Sequence, residues 1–181
     1  CKELPADADT SRFGVLKTDE EERILDFEEK PIEAQTNTIS CGIYVIRRRQ
    51  LIELIEKWAQ EERYDFVRDI LIRYKNLKRI YAYRTTDYWN SISSVESYYE
   101  TNMDFLKADV RKYFFKTYPD VYSKVLDLPP AKYNPGSDVR NSLVASGCIV
   151  NGVVENSILF KKVFVGNNCV IKNSIILNEV Y

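Results

Sequence analysis

Gly152-Val153-Val154-Glu155-Asn156-Ser157-Ile158-Leu159-Phe160-Lys161-Lys162-Val163-Phe164-Val165-Gly166-Asn167-Asn168-Cys169-Val170-Ile171-Lys172-Asn173-Ser174-Ile175-Ile176-Leu177 is the stretch on which the fold turns. Val153, Leu159, Val165, Ile171 and Leu177 recur every six residues, and the preceding column Ile158, Phe164, Val170 and Ile176 is apolar too. That spacing fits neither the period of a helix nor the alternation of a strand. It fits a left-handed parallel β-helix of hexapeptide repeats, in which each short rung turns one side chain inward and successive rungs stack. Val165-Gly166 has the aliphatic-glycine start of a rung. Asn167, Asn168, Asn173 and Asn178 suit its corners, because asparagine tolerates the left-handed backbone region. A plain β-meander is the weaker reading, since it does not sustain a six-residue register. The β-helix is expected over 138–181. The repeat is still running at Tyr181, so an exposed strand edge is expected there unless further chain or a neighbouring chain caps it.

Upstream, 119–137 reads as a linker. Tyr118-Pro119-Asp120, Leu128-Pro129-Pro130 and Asn134-Pro135-Gly136 are turn chemistry, and Pro119, Pro129, Pro130 and Pro135 are four of the six prolines. Residues 1–118 alternate strand-like and helical runs, which predicts an α/β layered domain. Phe13–Leu16 and Ile24–Phe27 are strand candidates flanking an acidic hairpin tip, Thr18–Arg23. Ile43–Ile46 reads as a buried strand and Ile80–Tyr83 as another. Leu51, Ile52, Leu54, Ile55 and Trp58 fall at helical spacing, with Trp58 in the core. A second helix is expected near Asp65–Tyr74, with Phe66, Ile70 and Leu71 on one face. Ser93 and Glu96 have capping-box spacing, so a helix is expected after Ser93, burying Val95, Tyr98 or Tyr99, Met103 and Leu106.

Composition narrows the chemistry. The 181 residues contain no histidine, which excludes Ser-His and Cys-His sites, a histidine base and His-containing zinc sets. It also tells against the acyltransferases that share hexapeptide β-helices, because those deprotonate their acceptor with histidine. With 26 basic and 27 acidic residues there is no electrostatic footprint for nucleic acid or anionic lipid. No apolar run of about 18 residues is present to span a membrane. Cys1, Cys41, Cys148 and Cys169 form no metal knuckle, and reduced thiols in a cytoplasmic protein are expected. The start, Cys1-Lys2-Glu3-Leu4-Pro5, lacks both an apolar signal region and an initiator Met, so the chain reads as a piece of something longer.

Several segments together resemble the sugar-nucleotide pyrophosphorylases, in particular the glucose-1-phosphate adenylyltransferases. Ser11-Arg12-Phe13-Gly14-Val15 resembles their SRFG segment, and Phe27-Glu28-Glu29-Lys30-Pro31 their FxEKP. Ser40-Cys41-Gly42-Ile43-Tyr44-Val45 is similar to SMGIYV, and Asp65-Phe66-Val67-Arg68-Asp69-Ile70 to DFGKDI. Tyr88-Trp89 sits where the family has YWxDVGT. Asn141-Ser142-Leu143-Val144-Ala145-Ser146-Gly147-Cys148-Ile149-Val150 resembles the entry to its β-helix. The likeness covers nearly the whole chain. It implies that residues 1–118 are the C-terminal portion of a nucleotidyltransferase Rossmann-like domain, whose nucleotide-binding half would lie upstream.

The resemblance also implies roles. Lys30 would pair with the phosphate of a sugar phosphate as a compact cation. Glu29 would accept hydrogen bonds from sugar hydroxyls, Gly14 would allow close approach of the backbone to the sugar, and Ser40 would offer its hydroxyl. In the active relatives Mg²⁺ assists transfer of an adenylyl group from ATP to glucose 1-phosphate, releasing pyrophosphate. The family's metal-holding aspartate follows Tyr-Trp by two residues. Here that place holds Ser91, and Ser93 replaces the glycine. A hydroxyl does not supply the charge that a Mg²⁺ site draws from carboxylates. The pattern resembles the non-catalytic partner subunit of some bacterial glycogen pathways. It implies no catalytic residue and no cofactor in this piece, and a hetero-oligomer with a catalytic adenylyltransferase subunit. An active transferase with its carboxylate supplied from elsewhere, and a sugar-phosphate-sensing or assembly module, are the alternatives.

Overall fold

The computed structural model describes residues 1–73, 79–117, 122 and 124–181. The chain divides into two compact units, Cys1–Trp89 and Asn90–Tyr181.

In the first unit, β1 (Lys2–Glu3), β2 (Gly14–Thr18), β3 (Ile24–Glu29) and β4 (Thr38–Ile39) form an antiparallel sheet in the order β1-β4-β2-β3. The acidic tip joins β2 to β3 as expected. Asp19 Oδ1 accepts from the N–H groups of Glu21 (3.0 Å) and Arg23 (2.8 Å), and Glu22 takes a left-handed φ of 62°. Val15, Leu16, Phe27 and Ile39 are buried. Arg84 fastens the sheet's end: its Nε donates to Glu22 Oε1 at 2.6 Å and its Nη2 to Thr18 Oγ1 at 3.1 Å.

Two expectations for this unit need correction. Ile43–Ile46 forms no strand, and Ile43 and Val45 are exposed. No described strand runs beside it, and β-propensity without a ladder to join does not make a strand. Ile80–Tyr83 contributes one antiparallel bridge, Arg23 to Tyr81, rather than a strand. In α1 (Arg48–Gln60) only one side of the apolar set turns inward: Trp58 is buried and Leu51 and Leu54 half-buried, whereas Ile52 and Ile55 are exposed. The guanidinium carbons of Arg63 and Arg73 each lie 5.3 Å from the Trp58 ring centroid, a cation–π arrangement. The second helix is a wide π-type helix, Phe66–Ile72, begun by Asp65 Oδ1 accepting from Val67 and Arg68 N–H, both at 2.9 Å. Phe66 and Leu71 are half-buried. The Ile70 side chain and Tyr74, also expected here, lie outside the described residues.

The second unit opens with α2 (Val95–Asp104) and α3 (Ala108–Lys112). A capping box is present one residue later than predicted: Ser94 Oγ accepts from Ser97 N–H at 3.1 Å, and Ser97 Oγ accepts from Ser94 N–H at 2.9 Å. Serine replaces glutamate because its hydroxyl reaches both Ser93 and Ser94 N–H. The one-residue shift leaves Val95 exposed, whereas Tyr98, Met103 and Leu106 are half-buried. These helices fall in the same compact unit as the β-helix, although the sequence assigned them to 1–118. Tyr118-Pro119-Asp120 lies outside the described residues.

The β-helix follows in three coils. The first holds β5 (Lys132–Tyr133), β6 (Asp138–Arg140) and β7 (Leu143–Val144). The second holds β8 (Ile149–Val150), β9 (Val153–Glu155) and β10 (Ile158–Leu159), and the third β11 (Phe164–Val165), β12 (Val170–Lys172) and β13 (Ile175–Ile176). They stack as three parallel sheets, β5-β8-β11, β6-β9-β12 and β7-β10-β13. β5 lies inside the predicted linker, so the β-helix begins by Lys132 rather than at 138. Cys148, Val150, Val154, Leu159, Val163 and Val165 form its core, with Val139, Val144, Ile171 and Ile176 packed against them.

The six-residue register holds only for Leu159, Val165 and Ile171. Val154 is buried in place of Val153, and Ile176 packs on the core while Leu177 is exposed. The cause is the two-residue corner between β9 and β10 and between β12 and β13, which makes Val154 to Leu159 and Ile171 to Ile176 steps of five residues. Four residues separate β5 from β6 and β11 from β12, but only Asn151-Gly152 separates β8 from β9. That turn shortens the step from Val150 to Val154 to four residues, against six from Val165 to Ile171.

The corners carry a polar ladder. Asn141, Asn156 and Asn173 have φ of 40°, 51° and 46°, and Asn168 has 60°; Asn167 and Asn178 do not take the left-handed conformation. Asn141 Nδ2 donates to Asn156 Oδ1 at 2.6 Å, and Asn156 Nδ2 to Asn173 Oδ1 at 2.8 Å. Beside it, Ser157 N–H donates to Ser142 Oγ and Ser174 N–H to Ser157 Oγ, both at 3.1 Å. The signal lay in the recurrence of Asn-Ser at 141, 156 and 173, each followed by two aliphatics, at intervals that no fixed period detects. On the outer face Lys172 Nζ lies 2.8 Å from Glu155 Oε2, and this hydrogen bond and charge hold the Glu155 carboxyl below its usual range.

Candidate functional site

Gly14, Glu29, Lys30 and Ser40 are brought together by backbone pairing at one end of the first unit's sheet. Gly14 opens β2 opposite Glu29, the last residue of β3. Ser40 N–H donates to the Gly14 carbonyl at 2.7 Å, and Lys30 N–H donates to the Phe13 carbonyl at 3.1 Å. Three separated sequence segments therefore meet through the sheet, which is why spacing alone does not reveal the cluster.

The physical requirement for glycine at 14 differs from the one expected. A methyl group there would lie 2.7 Å from Phe27 Cζ and 3.0 Å from Glu29 Oε2. The space above its Cα is taken by the Phe27 ring and the Glu29 carboxylate, so glycine here lets those side chains close over the strand. Phe27 was not singled out as a site-shaping residue by the sequence. Its position opposite Leu16, two pairs along from the Gly14–Glu29 pair, is set only by the register of β2 on β3.

Lys30 takes a left-handed φ of 52° immediately before Pro31, which ends β3, and it is exposed. Ser40 Oγ accepts from Gly42 N–H at 3.3 Å and lies 3.3 Å from Tyr44 Oη. Phe13 meets Trp89 edge-on, with ring centroids 5.8 Å apart. Around this sheet end lie one carboxylate, one ammonium, the hydroxyls of Ser40 and Tyr44, and the Phe13–Trp89 ring pair. A sugar phosphate calls on such groups: hydroxyls for the carboxylate, a phosphate for the ammonium. If the cluster holds a sugar phosphate, as the resemblance implies, Lys30→Ala is expected to weaken its binding about tenfold in calorimetry. Equal heats from both proteins would remove Lys30 from the site.

Ser91 belongs to the second unit. Its N–H donates to Asn90 Oδ1 at 2.9 Å, and Asn90 Nδ2 donates to Thr101 Oγ1 at 2.8 Å. Among the described residues no three His, Cys, Asp or Glu side chains are grouped to hold a metal ion. The neutral hydroxyl at 91 does not fit a Mg²⁺ site of the kind the resemblance implies. An open concavity of about 510 Å³ in the second unit, lined by Leu126, Leu128, Phe160 and Lys161 among others, contains none of these five residues. Among the described residues no helix is long and apolar enough to cross a membrane.

Known proteins match this architecture in the same order. Residues 4–108 match the nucleotidyl transferase family, and residues 129–181 match the GlmU-like C-terminal hexapeptide family. The chain is 39% identical over 166 residues to a glucose-1-phosphate adenylyltransferase of Clostridium acetobutylicum, covering 90% of this chain and 44% of that protein. It is 36% identical over 174 residues to the Pseudothermotoga lettingae protein of the same name, covering 94% and 41%. For that of Geobacillus stearothermophilus the identity is 35% over 168 residues, covering 91% and 43%. The chain thus spans less than half the length of the curated relatives it matches.

Proposed function

We propose a function from the premise that this chain belongs to the nucleotidyl transferase family: it is part of a regulatory, non-catalytic subunit of glucose-1-phosphate adenylyltransferase in glycogen biosynthesis. The observation that carries the reading is Ser91, where the active relatives would hold their metal with an aspartate. The pairing of Gly14, Glu29, Lys30 and Ser40 around one sheet end supports a retained sugar-phosphate pocket. Glucose 1-phosphate is its proposed ligand and a catalytic adenylyltransferase subunit its proposed partner in a cytoplasmic hetero-oligomer. In that complex this subunit contributes binding and assembly, while phosphoryl-oxygen stabilisation and positioning of ATP occur in the partner.

The test is pyrophosphate release from ATP and glucose 1-phosphate by the full-length protein, alone and with the catalytic subunit. Little turnover alone and a raised output from the mixture are expected. Strong activity from the homo-oligomer would sink the reading. Ser91→Asp gives an independent arm: it is expected to raise turnover of the lone subunit, whereas an active enzyme with its carboxylate elsewhere would gain nothing from it.

A further inference from the structure

We infer that Tyr99 and Thr101 are positioning residues that fix the loop Asn90–Ser94 to the β-helix. The functional weight of that loop rests on the reading of Ser91 above, but its anchoring does not.

Among the described residues, side chains of α2 hold the loop through three hydrogen bonds. Asn90 Nδ2 donates to Thr101 Oγ1 at 2.8 Å, and the N–H groups of Ser93 and Ser94 both donate to Ser97 Oγ at 2.9 Å. Ser97 is buried, so these bonds are shielded from competing water. The position of Ser91 is therefore only as well defined as the position of α2. A helix of ten residues is marginal by itself and needs a tertiary anchor.

Tyr99 supplies one. Its hydroxyl donates to the Asn173 carbonyl at 2.8 Å, across 74 residues of sequence. The acceptor is a fixed point. Asn173 N–H donates to the Glu155 carbonyl at 3.1 Å, and its side-chain oxygen accepts from Asn156, which is in turn bonded to Asn141. Asn173 also holds a left-handed φ of 46° at the coil corner. Three coils of the β-helix thus hold the carbonyl that holds Tyr99. The chain of contacts runs from the asparagine ladder through Tyr99 and α2 to Thr101, Asn90 and Ser91. In this arrangement a change at the β-helix corner resets the loop that carries residue 91, without any ligand touching that loop.

Hydrogen exchange on the full-length protein tests this without substrate or partner. In Tyr99→Phe the amides of Ser93, Ser94, Ser97 and Tyr98 are expected to exchange about fivefold faster, the loss of one ordinary hydrogen bond, while the amides of Asn151 and Val153 in the β-helix keep their rates. Thr101→Val is expected to speed Ser91 and leave Tyr98 unchanged. Unchanged exchange at 93–98 in Tyr99→Phe would overturn the inference, as would an equal rise at Asn151 and Val153, which reports general destabilisation. If the pyrophosphate assay refutes the regulatory role, this outcome is unaffected. The reverse also holds.

Discussion

Gly152→Ala is expected to destabilise the β-helix by about 3 kcal/mol, the upper part of the range for overpacked sites. A Cβ on Gly152 would lie 2.8 Å from the Gly166 carbonyl oxygen and closer still to that of Cys169. Both obstacles are backbone, so neither yields by changing rotamer. They are also committed: the Cys169 carbonyl accepts from Val153 N–H at 2.9 Å, and the Gly166 carbonyl accepts from Cys169 N–H at 3.3 Å. The cause is the two-residue turn of the second coil, which lies against the four-residue turn Gly166–Cys169 of the third. Relief would require parting β9 from β12. Gly166→Ala is the control, because its Cβ would meet only Cys169 Sγ at 3.4 Å and Phe164 Cε1 at 3.9 Å, ordinary contacts. Urea unfolding followed by circular dichroism gives the comparison. Equal midpoints for the two variants would refute the account of the short turn.

Leu159→Ala is the second large effect, a loss of about 3–4 kcal/mol. Leu159 is 1% exposed and stacks between Val144 of the coil before and Ile176 of the coil after. Its removal leaves a cavity lined by β-branched side chains whose short, stiff branches do not reach across to fill it. Leu177→Ala separates this packing from the six-residue register read in the sequence. In that register Leu177 is equivalent to Leu159, yet it is 54% exposed. The structure therefore expects a loss below about 1 kcal/mol for Leu177→Ala, in line with an exposed position. Comparable losses at 159 and 177 would restore the regular register and contradict the observed phase.

The two halves of the chain were legible to different degrees. The β-helix is built from contacts between neighbouring coils, so its pattern recurs within about 17 residues and local reading detects it. The hairpin of β2 and β3 was legible for the same reason, because its turn is closed by Asp19 inside the turn itself. Ile43–Ile46 was misread because a strand needs a partner, and apolar β-branched composition says nothing about whether one runs alongside. Of the candidate site, Gly14, Glu29, Lys30 and Ser40 came from resemblance to a family. No periodicity links positions 14, 29 and 40.

The sequence by itself determined the order of the parts: an α/β unit with an acidic hairpin, then a parallel β-helix. It also determined the chemical inventory, without histidine and with serine at 91. These are matters of composition and short-range pattern. Only the tertiary structure decided the phase of the β-helix core, because which side chain of each rung turns inward is visible only when the coils are stacked. It alone showed that the Phe27 ring and the Glu29 carboxylate occupy the space over Gly14, and that Tyr99 reaches the carbonyl of Asn173. Those facts depend on which distant residues are neighbours, and that is settled by strand register and helix docking.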